Sequence, residues 1–394
     1  MPKFCPMTSW DPDAETLVPL DEFKDRFFNI FVNTNNTMYV TISYDGLYKM
    51  NIDKLPWKLT NIKTISESIV SVFADTDNDI NVCCTDVSEN TQSSTVTTAL
   101  DKETCKCLIR FFICLKYECS TTSSSQTKSE TINKVIHKWD SITNKLQSVA
   151  TVNESCFSLF VDKNNTIYCS LTYSHLVMKK FLGNHNDLLS VTAAGTGTEG
   201  SDNIRLAYPF GIFVTDKFDL YVADFGNHRI QLFKHGSQSG TTIVTNGSYE
   251  HIELSFPTGI VLDADGFLFI VDYGNHRIIG SGPNGFRCVV GCSGRNGSAP
   301  NLLSNPITMN FDNYGNIIVV DRGNHRIQRF RLATNSCGKF MQLSYFRKMT
   351  VFKRYASEFI FVIDESTTTT SSLSNKTFTS TITSKLSMVN RYSL

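Results

Sequence analysis

The chain has 394 residues, and its 37 Lys and Arg balance its 37 Asp and Glu, so the formal net charge is zero. This balance argues against a nucleic-acid-binding protein, which needs a basic surface to displace the counterions of the phosphates. Hydrophobic residues make up 41% of the sequence, which is enough for a folded core and too much for a disordered chain. Uncharged apolar stretches such as 359–363 are far shorter than the ~20 residues of a membrane-spanning helix, so no membrane span is predicted.

A strand–turn–strand pattern recurs along the chain. Short β-rich stretches separated by Asn/Asp/Gly turns at a period near 45 predict four-stranded antiparallel blades. In the first, third and fourth copies a further strand follows 15 residues after the aligned turn residue, at Tyr48, Val177 and Ile230. Six copies are present, and they align on Asn33, Asp75, Asp162, Thr215, Asp263 and Asp312.

The second copy departs from this spacing. Its third strand is assigned to 134–139, where Val135 lies 60 residues after Asp75. We interpret the excess of 45 residues as an insertion at about 88–132; the alternative is a seventh, decayed blade, because 45 is also one repeat length. The spacing of four cysteines in this segment favours a small disulfide-stabilised loop over a metal knuckle; they are Cys105, Cys107, Cys114 and Cys119.

The last three copies share the motif Asp-x-Gly-Asn-His-Arg-Ile. A residue that is repeated in each blade is typical of a scaffold, whereas a catalytic residue is needed once. We expect the Asp to accept hydrogen bonds from amides of the following turn, the Gly to adopt a positive φ, and the Arg to reach a carboxylate in the same or the next blade. These structural residues are Asp224, Gly226, Asn227, His228 and Arg229; Asp272, Gly274, Asn275, His276 and Arg277; and Asp321, Gly323, Asn324, His325 and Arg326.

The Gly-Asn-His-Arg-Ile segments, each preceded by an Asp and a Pro-x-Gly strand, resemble the NHL repeat family. The resemblance covers 208–332 and is partial over 28–182, where Leu171, Cys84 and Ile42 replace the Asp while His175 keeps the histidine. It implies an all-β fold, a six-bladed β-propeller of four-stranded antiparallel blades, here with an irregular insertion in blade 2. It also implies a family that serves mostly as a binding platform and includes some enzymes.

Three histidines in register suggest a zinc site, but the geometry of a ring argues against one. Equivalent positions on adjacent blades of a six-fold ring are separated by one ring radius, and zinc ligands must come within ~2 Å of the ion. The turn that carries the histidines lies at least one strand spacing, ~4.8 Å, beyond the strand that lines the axis. We therefore predict no metal site.

The ends of the chain are expected to close the ring. The last copy ends near Leu332 after three strands, and the segment 5–18 has no blade of its own, so we predict that it supplies the fourth strand. We further predict that Cys5 pairs with Cys337, and that Cys288 pairs with Cys292 at a strand end. Glycine in the first strand of a blade suits the crowded axis, where backbones approach closely.

Three segments are predicted: a propeller over 1–337, a linker over 338–365, and a disordered Ser/Thr-rich tail over 366–394. An even cysteine count and six Asn-x-Ser/Thr sequons favour a secreted, extracellular glycoprotein. The N-terminus has no apolar signal segment; a missing or truncated leader reconciles this with secretion, and a cytoplasmic location is the alternative. The sequons are at Asn35, Asn153, Asn164, Asn246, Asn296 and Asn375.

The leading hypothesis for function is a non-enzymatic scaffold that binds a protein, peptide or glycan on one propeller face, as a monomer and without a cofactor. One alternative is a metal-dependent enzyme similar to peptidyl-hydroxyglycine amidating lyases or lactonases, which would need calcium or zinc. His251, Glu253 and Asp202 are the non-repeated candidates for such a site. Another alternative is a substrate-recognition module of a ubiquitin ligase, similar to TRIM-NHL proteins.

Overall fold

The fold is taken from a computed structural model of the chain. It describes residues 2–4, 8–19, 27–42, 46–64, 68–74, 80–85, 105–110, 114–119, 134–140, 145–182, 191–247 and 252–333. Cys5, Cys337, His251 and the proposed linker and tail lie outside the described residues, as do the side chains of the four cysteines at 105–119. The predictions for them therefore stay predictions.

The strands pair into six four-stranded antiparallel sheets, which we call blades 1 to 6. Within a blade, strands A to D run from the innermost to the outermost. The bounds are, for blade 1, β2 (Phe27–Val32), β3 (Thr37–Ile42), β4 (Gly46–Asn51) and β5 (Thr60–Thr64); for blade 2, β6 (Ser68–Ala74), β7 (Ile80–Thr85), β10 (Lys134–Asp140) and β11 (Lys145–Val152); for blade 3, β12 (Cys156–Val161), β13 (Thr166–Leu171), β14 (Leu176–Phe181) and β15 (Val191–Ala194).

Blades 4 to 6 follow the same order, except that the last blade takes its outer strand from the N-terminus. Their bounds are, for blade 4, β16 (Pro209–Val214), β17 (Leu220–Asp224), β18 (Arg229–Phe233) and β19 (Gly240–Thr245); for blade 5, β20 (Pro257–Leu262), β21 (Leu268–Asp272), β22 (Arg277–Gly282) and β23 (Gly285–Val290); for blade 6, β24 (Pro306–Phe311), β25 (Ile317–Asp321), β26 (Arg326–Phe330) and β1 (Glu15–Pro19).

Strand β10 pairs with β7, so the third strand of blade 2 is the segment that the spacing indicated. Between them in the chain, β8 (Cys105–Arg110) and β9 (Cys114–Cys119) form a separate two-stranded sheet. The all-β propeller with four-stranded antiparallel blades is confirmed. Among the described residues, no helix has the length and apolar character needed to cross a membrane.

The innermost strands contact one another in a closed cycle, from β2 through β6, β12, β16 and β20 to β24 and back to β2. Buried apolar side chains pack between neighbouring blades; Tyr168 and Val177 of blade 3, for example, join Val222 and Phe233 of blade 4. Near the axis, a Cβ on Gly211 would lie 2.4 Å from the carbonyl oxygen of Thr258 in the next blade. The expectation that glycine serves close backbone approach there is confirmed.

The N-terminal segment completes blade 6. Strand β1 pairs antiparallel with β26, and Trp10 forms a bridge with Leu332. The segment then contacts the A–B turns of blades 6 and 5, through Gly315 and Ala264. There the aromatic ring of Phe4 packs with its centroid 5.0 Å from that of Trp10 and 4.9 Å from that of Phe311. The predicted closure by the chain's own N-terminus is confirmed.

The turn residue that defines the repeat has a common role in the described blades. Its side-chain oxygen accepts backbone N–H bonds from the residues two and four positions later, at 2.8–3.3 Å, which fixes the turn between strands A and B. Asn, Asp and Thr all provide such an acceptor, which explains why these three types alternate at the position. The residues are Asn33, Asp162, Thr215, Asp263 and Asp312.

Two disulfide bonds lie within the described residues. The predicted bond between Cys288 and Cys292 is present. A second bond, between Cys156 and Cys169, joins strands A and B of blade 3 and was not predicted from the sequence.

Candidate ligand-binding face

One end of each blade gathers the B–C turns and the D–A loops. The strand register produces this arrangement, because Pro209 at the start of strand A lies opposite Asp224 at the end of strand B. Arg229 at the start of strand C lies opposite Asp224 and, on its other side, Thr245 near the end of strand D. We call this end the upper face; the A–B turns lie on the lower face.

The repeated Asp fixes the D–A loop that leads into its own blade. In blade 4, Oδ1 of Asp224 accepts the backbone N–H of Ala207 at 2.7 Å, and Oδ2 accepts from Nδ2 of Asn227 at 2.8 Å and from Nε of Arg229 at 2.6 Å. The expected bonds to amides of the following turn are wrong, since the amide donor comes from the loop 17 residues earlier. The reason is the A–B pairing, which brings that loop beside the end of strand B.

The repeated Asn and Arg extend this network to the backbone of the same loop. The guanidinium of Arg229 donates to the carbonyl oxygens of Ser201, Asp202 and Arg205 at 2.6–3.1 Å, and Asn227 donates to that of Gly200 at 2.8 Å. Blades 5 and 6 repeat the Asp–Arg pair, with Nε to Oδ2 distances of 2.8 Å at Asp272 and 2.7 Å at Asp321. The Arg therefore binds the carboxylate of its own blade.

The glycine of the motif has a different role from the one expected. None of the three has a positive φ; the left-handed residue is the histidine, with φ of 51° at His228, 55° at His276 and 52° at His325. A Cβ on Gly274 would lie 2.3 Å from Oγ of Ser255 and 3.0 Å from its carbonyl oxygen. Close approach of the turn to the D–A loop, rather than backbone conformation, requires glycine there.

The histidines connect each blade to the next. Nδ1 of His228 accepts the backbone N–H of Phe256 at 3.1 Å, and Nδ1 of His276 accepts that of Asn305 at 3.1 Å. His175, in blade 3, accepts from Tyr208 in the same way at 3.2 Å. An imidazole nitrogen accepts a hydrogen bond only when it is unprotonated, and burial lowers the pKa of these three histidines.

A band of aromatic rings crosses the upper face from blade 3 to blade 5. Neighbouring ring centroids are 4.6–6.4 Å apart, within or near the range of favourable aromatic pairs. Phe225 is buried beneath the others, while Tyr173 is 38% exposed and the remaining rings are half-buried. This aromatic belt consists of Phe157, Tyr173, Phe210, Phe225, Phe256 and Tyr273.

The sequence contained a signal for the belt. Phe225 and Tyr273 occupy the variable position x in the repeated motif, between residues that are the same in each copy. Phe157 and Phe210 are the second residues of their A strands. Binding residues are concentrated on variable loop positions of a rigid scaffold, so position x was the signal available in the sequence.

The candidates for an enzymatic site do not form one within the described residues. The carboxylate of Asp202 pairs with Nε of Arg205 at 2.8 Å, and Glu253 contributes its backbone carbonyl oxygen to Asn275 and Arg277. In the part of the chain that the structure describes, no group of three or more His, Cys, Asp or Glu side chains is arranged to hold a metal ion.

The sequence and the fold were compared with known proteins. Residues 254–280, which span strands A and B and the motif of blade 5, match the NHL repeat family model. A search of curated proteins finds no match.

Solved structures share the fold at low identity. A structural genomics protein of unknown function from Bacteroides thetaiotaomicron VPI-5482 superposes with a TM-score of 0.56 and 11% identity, over 84% of this chain and 75% of that one. An auxiliary nutrient binding protein from Bacteroides ovatus ATCC 8483 gives 0.52 and 12%, over 84% and 75%. One from Bacteroides thetaiotaomicron VPI-5482 gives 0.53 and 12%, over 84% and 74%. Residues 254–280 therefore carry an NHL repeat, and the strands are arranged as a β-propeller of four-stranded antiparallel blades.

Proposed function

We propose that this protein is a non-enzymatic binding scaffold whose ligand, a protein, peptide or glycan, docks on the aromatic belt of the upper face. The observation that carries the proposal is the belt itself, a continuous row of aromatic rings in contact over three blades, most of which are half-buried. Aromatic side chains supply large contact areas at low entropic cost and are enriched in binding sites. Protein partners, prolines and sugar rings all pack on such surfaces.

The hydrogen-bond networks around the belt support a binding role. The repeated Asp, Asn and Arg side chains are engaged by the main chain of the D–A loops, so they hold these loops in place around the rings. A rigid rim limits the entropy lost when a ligand binds. Two of the structural neighbours are described as nutrient binding proteins, and the shared fold is compatible with a similar use here.

The test compares exposed tyrosines on opposite faces. Tyr173 belongs to the belt, whereas Tyr314, which is 63% exposed, lies on the A–B turn of blade 6 at the lower face. The full-length protein is screened against a phage-displayed dodecapeptide library and a glycan array. We expect Tyr173→Ser to lower the affinity for the retained ligands by about tenfold, on the scale of one binding hot spot. Tyr314→Ser should leave their affinity unchanged.

Tyr273→Ser at the other end of the belt provides a second variant, and thermal unfolding verifies that each variant folds. Retained ligands that bind Tyr173→Ser and Tyr273→Ser as tightly as the wild type would overturn the proposal, as would a screen that retains no ligand.

We also propose that the protein is an extracellular glycoprotein. All five sequon asparagines within the described residues are exposed, where an oligosaccharide can be attached without disturbing the core. The two disulfide bonds fit an oxidising compartment. The five sites are Asn35, Asn153, Asn164, Asn246 and Asn296.

Expression through a eukaryotic secretory pathway, followed by digestion with peptide-N-glycosidase, tests this proposal. We expect the enzyme to convert the glycosylated asparagines to aspartate, which peptide mass spectrometry detects as a gain of about one mass unit at each site. Unmodified asparagine at all five positions would contradict it.

A further inference from the structure

The D–A loop that enters blade 3 has a glutamate at the place where blades 4 to 6 have a small residue. Glu154 corresponds in register to Ala207, Ser255 and Ser304. Oε1 of Glu154 accepts the backbone N–H of Tyr173 at 2.9 Å, and Oε2 accepts from Oγ of Ser174 at 2.6 Å. These bonds fix the carboxylate against the B–C turn of blade 3, beside the aromatic belt.

Glu154 is half-buried, yet none of the ion pairs within the described residues includes it. The buried carboxylates of blades 4 to 6 differ in this respect, because each is paired with an arginine. Removal from water raises the pKa of Glu154, because burial disfavours the charged form of a carboxyl group. A cation placed beside it would therefore be stabilised.

Aromatic rings and a second carboxylate surround the same turn. Tyr173 packs edge-on against Phe157, with ring centroids 5.9 Å apart. On the other side of the turn, the ring of Tyr208 packs 4.7 Å from that of His175. Burial raises the pKa of Tyr208, and the exposed carboxylate of Glu199 is close enough to raise this pKa further. We call Glu154, Phe157, Tyr173, Tyr208 and Glu199 the acidic corner of the belt.

We propose that the acidic corner binds the cationic side chain of a lysine or arginine in a peptide ligand, while the rest of the belt packs against the ligand's apolar residues. The inference rests on the proposed binding function and adds the chemical class of the ligand. A cation over an aromatic face gains more stabilisation when it is partly removed from water. A nearby carboxylate adds a charge-assisted hydrogen bond, and the acidic corner offers both.

The experiment uses the full-length protein and four fluorescent dodecapeptides with a constant background of Pro, Leu and Ser. They differ at one central residue, which is Lys, Arg, Gln or Glu. We expect the Lys and Arg peptides to bind about tenfold more tightly than the Gln peptide and the Glu peptide to bind most weakly. The preference should shrink between 50 and 500 mM NaCl, because salt screens the charge.

Glu154→Gln tests the residue itself, since the amide has nearly the same shape but carries no charge. Its oxygen can accept the backbone N–H of Tyr173, and its NH2 group can donate to Oγ of Ser174. We expect this variant to lose the preference for Lys and Arg while keeping its affinity for the Gln peptide. Glu253 is an exposed carboxylate on the D–A loop that enters blade 5. Glu253→Gln is therefore the matched control and should keep the preference. Tyr173→Ser should instead lower the affinity for all four peptides.

These outcomes separate the two proposals. Equal binding of the Lys and Gln peptides, or an unchanged preference in Glu154→Gln, would overturn the cationic ligand while leaving the belt as a binding site. Binding of glycans on the array without any binding of the four peptides would overturn it as well. A normal affinity of Tyr173→Ser for every ligand would overturn the binding face.

Discussion

Blades 3 and 4 fix the B–C turn, which ends in a histidine in both, by different bonds. In blade 4, Asp224 and Arg229 form a buried ion pair that fixes the preceding loop. In blade 3, Leu171 and Leu176 stand at these positions; there the side chain of Glu154 accepts from the turn, and the Cys156–Cys169 bond joins strands A and B. The turn nevertheless ends in a left-handed histidine in both blades, with φ of 55° at His175 and 51° at His228.

This comparison separates two roles that the repeat combines. The bonds within a blade can be replaced, because several side chains can fix a loop to a turn. The bond between blades is kept, because the histidine nitrogen in both cases accepts a backbone N–H at the start of the next blade. In blade 3 the replacement also leaves a carboxylate beside the aromatic belt without an arginine, and blade 3 is where we place the cationic ligand.

The largest expected effect comes from breaking the ion pair of blade 4. Asp224→Asn leaves the guanidinium of Arg229, which is 7% exposed, without a counter-charge. Loss of one partner of a buried pair costs about 3–5 kcal/mol in the free energy of unfolding, measured by urea denaturation. Asp202→Asn removes an exposed pair with Arg205 in the same loop and should change stability little. Equal stability of the two variants would contradict this prediction, because it would show that blade 4 does not need its ion pair.

The second effect concerns the disulfide bond that blade 3 has in place of the ion pair. The Cys156–Cys169 bond closes a loop with a sequence separation of 13, and the Cys288–Cys292 bond one of 4. In the chain-entropy account, the double replacement Cys156→Ala and Cys169→Ala should cost about 3 kcal/mol, and Cys288→Ala with Cys292→Ala about 2 kcal/mol. Denaturation without reductant measures both. If removing the cysteine pair of blade 3 costs less stability than removing that of blade 5, the disulfide bond of blade 3 does not substitute for the ion pair.

A third variant examines packing at the axis, where blade 4 has glycine and blade 3 has Ser158. A Cβ on Gly211 would meet backbone atoms of the neighbouring blade 5, so Gly211→Ala must push strands apart. Overpacking of this kind costs about 1–3 kcal/mol. Gly282→Ala is the control, since its φ is not positive and its Cβ would have no closer neighbour than an atom 4.0 Å away. An unchanged unfolding midpoint for Gly211→Ala would mean that the two blades can separate without cost.

The architecture was predictable from the sequence because it depends on local, periodic signals. Turn residues such as Asp263 bond to amides two and four residues later, so their spacing alone marks the blades. The strand supplied by 5–18 followed from the missing fourth strand of the last copy. Cys288 and Cys292 are close in sequence, so their pairing needed no knowledge of the fold.

The details of the candidate site depend on the register of strands and on which loops meet at the upper face. The carboxylate of Asp224 finds its amide donor 17 residues upstream, and Cys156 finds its partner across the strand pair. Neither partner is marked by a sequence motif. The belt similarly combines positions from A strands, B–C turns and a D–A loop, and only the assembled ring brings Phe210, Phe225 and Phe256 together.

The smallest expected effect is a pH dependence that blades 3 and 4 share. Burial lowers the pKa of His175 and His228, whereas an unfolded histidine takes up a proton near pH 6.5. The unfolded state therefore binds more protons than the native state as the pH falls below about 6.5, and the native state loses stability there. Stability from these groups is complete above that pH and is lost as the pH falls through the lowered pKa.

Replacement of each histidine by asparagine isolates its contribution to the pH dependence of stability. Asparagine tolerates the left-handed conformation and can accept the same N–H, but it does not titrate. The drop in urea midpoint between pH 7.5 and 5.5 should be smaller in His175→Asn and in His228→Asn than in the wild type. Burial raises the pKa of Asp224 and Asp272, which favours the native state as the pH falls, and this opposing contribution is common to all three proteins and cancels. Since both histidines bond to the next blade, the two variants should reduce the pH dependence of the urea midpoint to the same extent. A reduction in only one of them would show that the two histidines are not equivalent.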